Sequence, residues 1–293
     1  MVLAVTGVSK VRTGVALVLL LACGAFLAQL IGADGAAAKS VTYVHKGFKI
    51  SGANDKRRLT VRCPGNLVPL GGGMKATPLP SADGEGAYPH SYERLGVQHG
   101  FHSTVVLFDP SPGSTTQRQV TLQVACSRKQ KHVTPPHQTV YVNPGQTKTA
   151  VATCPGNRHL FGGGFQRTDF IARGGDYINE SRAISDKSWS VTGSAFGGFG
   201  GELTAIAYCW RSKKPLLTEV SGSATVGNGQ FGTASTPPCP SGHIVFGGFS
   251  TAPAGSMLFT NGAFTGSGGW SASAMNQFGP TATIAAYGYC LKL

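Results

Sequence analysis

The sequence predicts an all-β fold made of three internal repeats and stabilised by disulfides. Three observations predict it. A block that opens on Cys-Pro recurs at Cys63, Cys154 and Cys239. Around each block, apolar and polar residues alternate with period two, rich in Val, Ile, Thr and aromatics and bounded by Gly, Pro, Asn and Ser. Of the seven cysteines, Cys23 lies in an apolar leader, and an even number follows it. Composition agrees: 13% charged residues are too few for long surface helices, and 41% hydrophobic residues are too many for charged disorder. The 42 glycines do not recur every third residue, which excludes collagen.

The leader comes first. Lys10 and Arg12 form a basic start, the stretch from Gly14 to Ala33 carries no charge, and Ala36-Ala37-Ala38 supplies small residues for cleavage. This pattern predicts a signal helix cut after Ala38. Left uncut, the same stretch would anchor the chain in a membrane, the one membrane contact the sequence predicts. Lipidation at Cys23 fits less well, because the apolar run continues from Gly24 to Leu30. The signal peptide is therefore residues 1–38, and export makes the protein secreted, extracellular or attached to the cell envelope.

The three repeats follow as residues 39–134, 135–215 and 216–293. Each opens on an extended segment, at Val41, Thr139 and Thr218, and runs into its Cys-Pro turn, where proline ends the ladder. A glycine-rich strand comes next: Gly71-Gly72-Gly73-Met74, Gly162-Gly163-Gly164-Phe165 and Gly247-Gly248-Phe249. Counted from the cysteine, the third repeat has lost its third glycine. Glycine weakens a strand unless something must approach closely, so these positions are expected beneath the aromatic that heads the next alternating segment. That aromatic is Phe101, Trp189 or Trp270, read as packing anchors rather than sugar-stacking rings. Each repeat closes on a strand ending in Cys126, Cys209 or Cys290. Ser127 to Pro136 and Arg211 to Pro215 have linker composition. No helix is expected after residue 38.

Repeat symmetry leaves two disulfide pairings. Each repeat closes on itself (Cys63–Cys126, Cys154–Cys209, Cys239–Cys290), or neighbours are stapled (Cys126–Cys154, Cys209–Cys239, Cys63–Cys290). The first is favoured, because in each repeat one cysteine opens the repeated strands and the other ends them.

Cys154-Pro155-Gly156, Gly163-Gly164-Phe165, Thr204 and Cys209, with partial echoes in the other two repeats, resemble the vitelline membrane outer layer protein I family. The chain is also similar to secreted proteins of high-GC Gram-positive bacteria. The first resemblance implies a β-prism, three sheets around a pseudo-threefold axis, and a link to carbohydrate binding. These repeats are longer than that family's. Two architectures follow, a β-prism-like single domain or three small tandem β modules on short linkers.

The sequence contains no His-Glu-x-x-His, Gly-x-Ser-x-Gly or Walker-type motif. Gly227 to Gly232 fits G-x-G-x-x-G by letter but leads into Pro237-Pro238-Cys239 and not into a helix, so no cofactor is expected. Glu85 with Glu93, or Asp176 with Glu180, would be the carboxylate pairs of a glycosidase. They have no counterpart in the third repeat, whose one carboxylate is Glu219. His99 and His102 lack partners for a metal, and no metal site is predicted. The expectation is a protein that is not an enzyme.

Charge is what distinguishes the repeats. The first holds 13 basic and 5 acidic side chains, the second 9 and 5, the third one of each. Lys46, Lys49, Lys56, Arg57, Arg58 and Arg62 form the basic cluster and are the candidate binding residues, with Trp210, which falls outside the repeat pattern, as a candidate exposed aromatic. Such a cluster attracts anionic cell-wall polymers or acidic polysaccharides. Export argues against nucleic acid as a natural partner. The expected function is non-enzymatic attachment to the envelope or to extracellular glycans, with a purely structural envelope role as the alternative and a hydrolase third.

Overall fold

The structure is a computed structural model. It describes residues 41–51, 56–77, 86–95, 100–108, 117–128, 135–168, 176–195, 200–252, 256–263, 268–276 and 281–291. The signal segment, Cys23, Glu85, His99, the linker residues 129–134 and the side chain of Asp176 lie outside the described residues.

Every regular element among the described residues is a strand. The first stretch supplies β1 (Thr42–Ser51), β2 (Lys56–Arg62), β3 (Val68–Thr77), β4 (Gly86–Pro89), β5 (Ser91–Leu95), β6 (Gly100–Phe108) and β7 (Gln117–Ser127). The second supplies β8 (His137–Val142), β9 (Thr147–Thr153), β10 (Arg158–Arg167), β11 (Asp176–Ala183), β12 (Ser188–Ala195) and β13 (Gly201–Arg211). The third supplies β14 (Leu217–Gly227), β15 (Phe231–Ser235), β16 (His243–Ala252), β17 (Ser256–Ala263), β18 (Trp270–Asn276) and β19 (Thr281–Leu291).

These strands form three sheets: β1-β7-β3-β17-β18-β15, β2-β6-β5-β10-β13-β8 with β4 also on β6, and β14-β19-β16-β11-β12-β9. Each sheet combines strands from two stretches of the chain, three and three in the first and third sheets and four and three in the second. Residues 41–293 accordingly form one compact unit, which is not the arrangement of three separable modules on linkers. The second linker, Arg211 to Pro215, is a short tie from β13 to β14, held by the Ser212 hydroxyl donating to the Lys214 carbonyl at 2.7 Å.

The disulfides are Cys63–Cys126, Cys154–Cys209 and Cys239–Cys290, with Cα separations of 5.7, 5.6 and 5.7 Å. The neighbour-stapled pairing is therefore not the one formed. Closing loops of 63, 55 and 51 residues, each bridge contributes about 3–4 kcal/mol by restricting the unfolded chain. Three such bridges suit an oxidising, extracytoplasmic compartment.

The core lies among the inner faces of the sheets. Phe101, Trp189 and Trp270 are all buried within it. Each lies against the glycine expected beneath it. A methyl on Gly72 would sit 2.7 Å from Phe101 Cδ1, and methyls on Gly163 and Gly247 would be driven into the rings of Trp189 and Trp270. Trp189 has a partner for its polar edge, donating from Nε1 to Ser181 Oγ at 3.1 Å. Gly163→Ala is therefore expected to cost about 2–3 kcal/mol by overpacking, read as a lowered denaturant midpoint with an unchanged slope.

Register also shows which glycine the third stretch lacks. Opposite the residue before the closing cysteine stand Gly71 (on Ala125), Gly162 (on Tyr208) and Phe246 (on Tyr289). The missing glycine is thus the first, not the third. The turn from Cys239 to Ile244, which pairs with Cys290, is one residue shorter than the turns from Cys63 to Pro69 and Cys154 to Leu160, which pair with Cys126 and Cys209. Counting from the cysteine therefore shifted the alignment. Phe246 uses the space the other two glycines leave. Its ring blocks any methyl on Gly71, and its Cγ would lie 3.5 Å from one on Gly162. It meets Trp189 edge-on at 5.0 Å and stacks at 6.4 Å on Trp270.

Two tyrosines tie the halves of their sheets together. The Arg94 N–H donates to Tyr208 Oη at 2.6 Å, and the Ala183 N–H donates to Tyr289 Oη at 2.8 Å. In the remaining sheet the corresponding residue of β7 is Ala125. There Tyr43 of β1 instead donates its hydroxyl to the Ile244 carbonyl, joining one sheet to another.

Candidate binding site

Lys46 and Lys49 are exposed on β1, and Lys56, Arg57, Arg58 and Arg62 are exposed on β2. Among the described residues both strands are sheet edges, β1 paired with β7 alone and β2 with β6 alone. On β2 alternation buries Leu59 and Val61 and leaves Arg58 and Arg62 exposed, while Lys56 and Arg57 are exposed at the start of the strand. Charge on an edge strand discourages pairing with another chain, so these residues protect the edge whatever else they do.

The two edges meet across a cleft of about 470 Å³ lined by Val44, His45, Lys46, Thr60, Val61 and Arg62. Lys46 and Arg62 thus come together, joined by His45, which sequence reasoning did not single out. Among the described residues no carboxylate lines the cleft. Lys49, Lys56 and Arg57 lie further along the same strands. Lys46 is steadied by the Phe48 ring, 5.2 Å from its Nζ.

Arg58 turns to another partner. Its Nη2 lies 3.2 Å from His102 Nε2, and that nitrogen lies 3.1 Å from Glu93 Oε1. The buried His102 therefore ties a cation and a carboxylate into one network across β2, β6 and β5. Glu180 is engaged as well, accepting from Arg182 Nε and from the Ser190 hydroxyl, each at 3.0 Å. Among the described residues no group of three His, Cys, Asp or Glu could hold a metal ion, and no helix is long and apolar enough to cross a membrane. Lys56 also acts at a distance. Burial first, then the charges of Lys56 and Arg167, push His90 down to about 3.

Trp210 is not part of the cleft. It stands on β13, half-buried, with its ring edge-on to Phe161 at 6.4 Å. It is a packing residue of a small aromatic cluster with Tyr208 and Leu216.

The cleft stands out against two matching corners. Lys46, Gln138 and Gly222 hold one register position, opposite Leu122, Ala205 and Ala286, each four residues before a closing cysteine. Across the corner the matching residues are Thr60, Val151 and Ser235, opposite His102, Ser190 and Ser271. At the β8–β9 corner the Val151 N–H donates to Gln138 Oε1 at 2.5 Å. At the β14–β15 corner Gly222 has no side chain and lies directly against the Ser235 carbonyl, leaving no room even for a methyl. Those two corners are shut by an amide and by a bare backbone. The β1–β2 corner has Lys46 in that place, and it is open. In comparison with known proteins, no family model and no curated protein matches the chain.

Proposed function

We propose that the protein is an exported, non-enzymatic β-prism of three repeats that attaches to anionic polymers of the cell envelope or to acidic extracellular glycans through the β1–β2 cleft. The prism reading is supported by three sheets that each combine strands from two stretches of the chain. The attachment reading rests on one observation: the open corner is lined by His45, Lys46 and Arg62 and, among the described residues, by no carboxylate. Lys49, Lys56 and Arg57 extend the same field along both strands. A linear polyanion gains several weak contacts there at once, and exposed charge pairs of this kind are individually small and screened by salt.

The test is retention of the purified, oxidised protein on isolated cell wall and on insoluble polygalacturonate, with neutral dextran as control, at about 50 and 500 mM salt. Retention on the anionic matrices at the lower salt is expected. The double variant Lys46→Ala/Arg62→Ala should lose about tenfold in affinity, the loss of two to three modest contacts. Equal retention by the folded double variant would remove the cleft from the function. A purely structural envelope role is the second reading, favoured by the placement of the cations on edge strands. It predicts that the same variant keeps whatever retention the parent shows and instead self-associates, visible by light scattering.

A further inference from the structure

A second cleft, of about 360 Å³, opens beside Ala183. Leu160, Ile184 and Leu216 form apolar walls, and Arg182, Asp186 and Glu219 supply charge. Among the described residues Ile184 is one of the few large apolar side chains left exposed, at 47%. Arg182 is already engaged: its Nε lies 3.0 Å from Glu180 Oε2 and its guanidinium stacks 5.3 Å from the centre of the Tyr287 ring. Asp186 Oδ2 lies 2.7 Å from His159 Nδ1. Two carboxylates against one committed cation leave the lining net negative. Burial raises Glu219 above the usual carboxylate range, while Arg182 and the Tyr289 hydroxyl draw it back.

The molecule itself indicates what such a place accepts. Ala183 and Arg94 hold the same register position, each opposite the anchoring aromatic of the next strand, Trp189 and Phe101. Each donates its backbone N–H to a buried tyrosine, Tyr289 or Tyr208. At Arg94 the chain fills the adjoining space itself: the guanidinium lies 5.2 Å from the centre of the Phe161 ring. At Ala183 the backbone geometry is the same, but the side chain stops at Cβ and a cleft is left.

We propose that the cleft beside Ala183 binds an external cation, a guanidinium or primary ammonium group on a short apolar stem, where Arg94 serves at the matching position. The stem packs on Leu160, Ile184 and Leu216. The charged head faces Glu219 and Asp186, both on the exposed rim of the cleft, so each pairing is modest and the apolar stem adds to it. This site is separate from the β1–β2 cleft and does not depend on it.

The probe pair is butylguanidine and its neutral isostere butylurea, titrated into the oxidised protein while the amide signals of Ala183, Ile184 and Leu217 are followed by NMR. Butylguanidine should give saturable shifts with a dissociation constant in the millimolar range, about −4 kcal/mol or weaker. Butylurea should bind at least about tenfold more weakly. Ala183→Arg places a guanidinium in the cleft in cis and should abolish the shifts. Glu219→Gln, on an exposed edge where misfolding is not expected, should weaken binding by about two- to fivefold. Equal binding of the two probes overturns the proposal, as do the absence of saturation up to about 50 mM and saturable binding that survives Ala183→Arg.

Discussion

Phe246→Ala is expected to destabilise the protein by about 3–5 kcal/mol, the range for removing a large aromatic from a core that cannot collapse around the gap. The reason it cannot collapse lies in the neighbours. Gly71 and Gly162 have no side chains to advance into the space. Trp189 and Trp270, which contact the Phe246 ring, are fixed by their own glycines beneath them. The ring therefore fills a volume that three strands share, and its loss removes contacts from all three sheets. The measurement is equilibrium denaturation with the disulfides intact. Phe246→Leu should retain about half the loss, because much of the volume stays filled. A loss below about 1 kcal/mol for the alanine variant would mean that the centre is loosely packed, contrary to the burial observed.

Acid should weaken the protein through His90, by an amount on the order of 4–5 kcal/mol between pH 6.5 and 3. The imidazole is buried, 5% exposed. Burial first, then the positive charges of Lys56 and Arg167, hold it at about 3 instead of the usual 6.5. The native state therefore keeps it neutral where the unfolded chain takes up a proton. The stability this residue lends is fully present above the unfolded value. It is lost as pH falls toward the folded value, with a limiting slope of about 1.4 kcal/mol per pH unit. Backbone bonds hold the residue in place whatever its side chain, its N–H donating to Thr104 at 2.7 Å and its carbonyl accepting from Arg167 at 3.2 Å. His90→Asn should consequently fold and show a flatter acid limb. An identical pH dependence in parent and variant would show that His90 titrates normally.

Much of the architecture was legible in the sequence, and the reason is physical. Strand alternation, the Cys-Pro turns and the cysteine spacing are local signals, and they gave an all-β chain with Cys63–Cys126, Cys154–Cys209 and Cys239–Cys290 as the favoured bridges. The glycines under Phe101, Trp189 and Trp270 were legible because a strand tolerates glycine for few reasons, and close approach of a ring is one of them. What the sequence hid is long-range. No local pattern says that β17 will lie beside β3, or that β5 will lie beside β10. The identity of Phe246 as the substitute for a glycine was masked by a turn one residue shorter than its counterparts. The same holds for binding. The basic cluster was visible as composition, but composition could not separate Lys46 and Arg62, which share a cleft, from Arg58, which is spent on His102. Nor could it show His45 between them. Trp210 looked free because it breaks the pattern, whereas it packs on Phe161.

The exchange of strands among the three stretches has a consequence for how the chain matures. β3 pairs with β7 of its own stretch, but its other edge pairs with β17, which is made some 180 residues later. Until then a long strand edge stays open, and non-local pairings of this kind fold slowly and invite association. No stretch of the chain finishes a sheet alone among the described residues, and a disulfide such as Cys63–Cys126, internal to the first stretch, ties its strands together without any partner stretch. The last stretch completes two sheets at once. A truncation within it therefore dismantles most of the molecule, and folding is tied to synthesis of the whole chain.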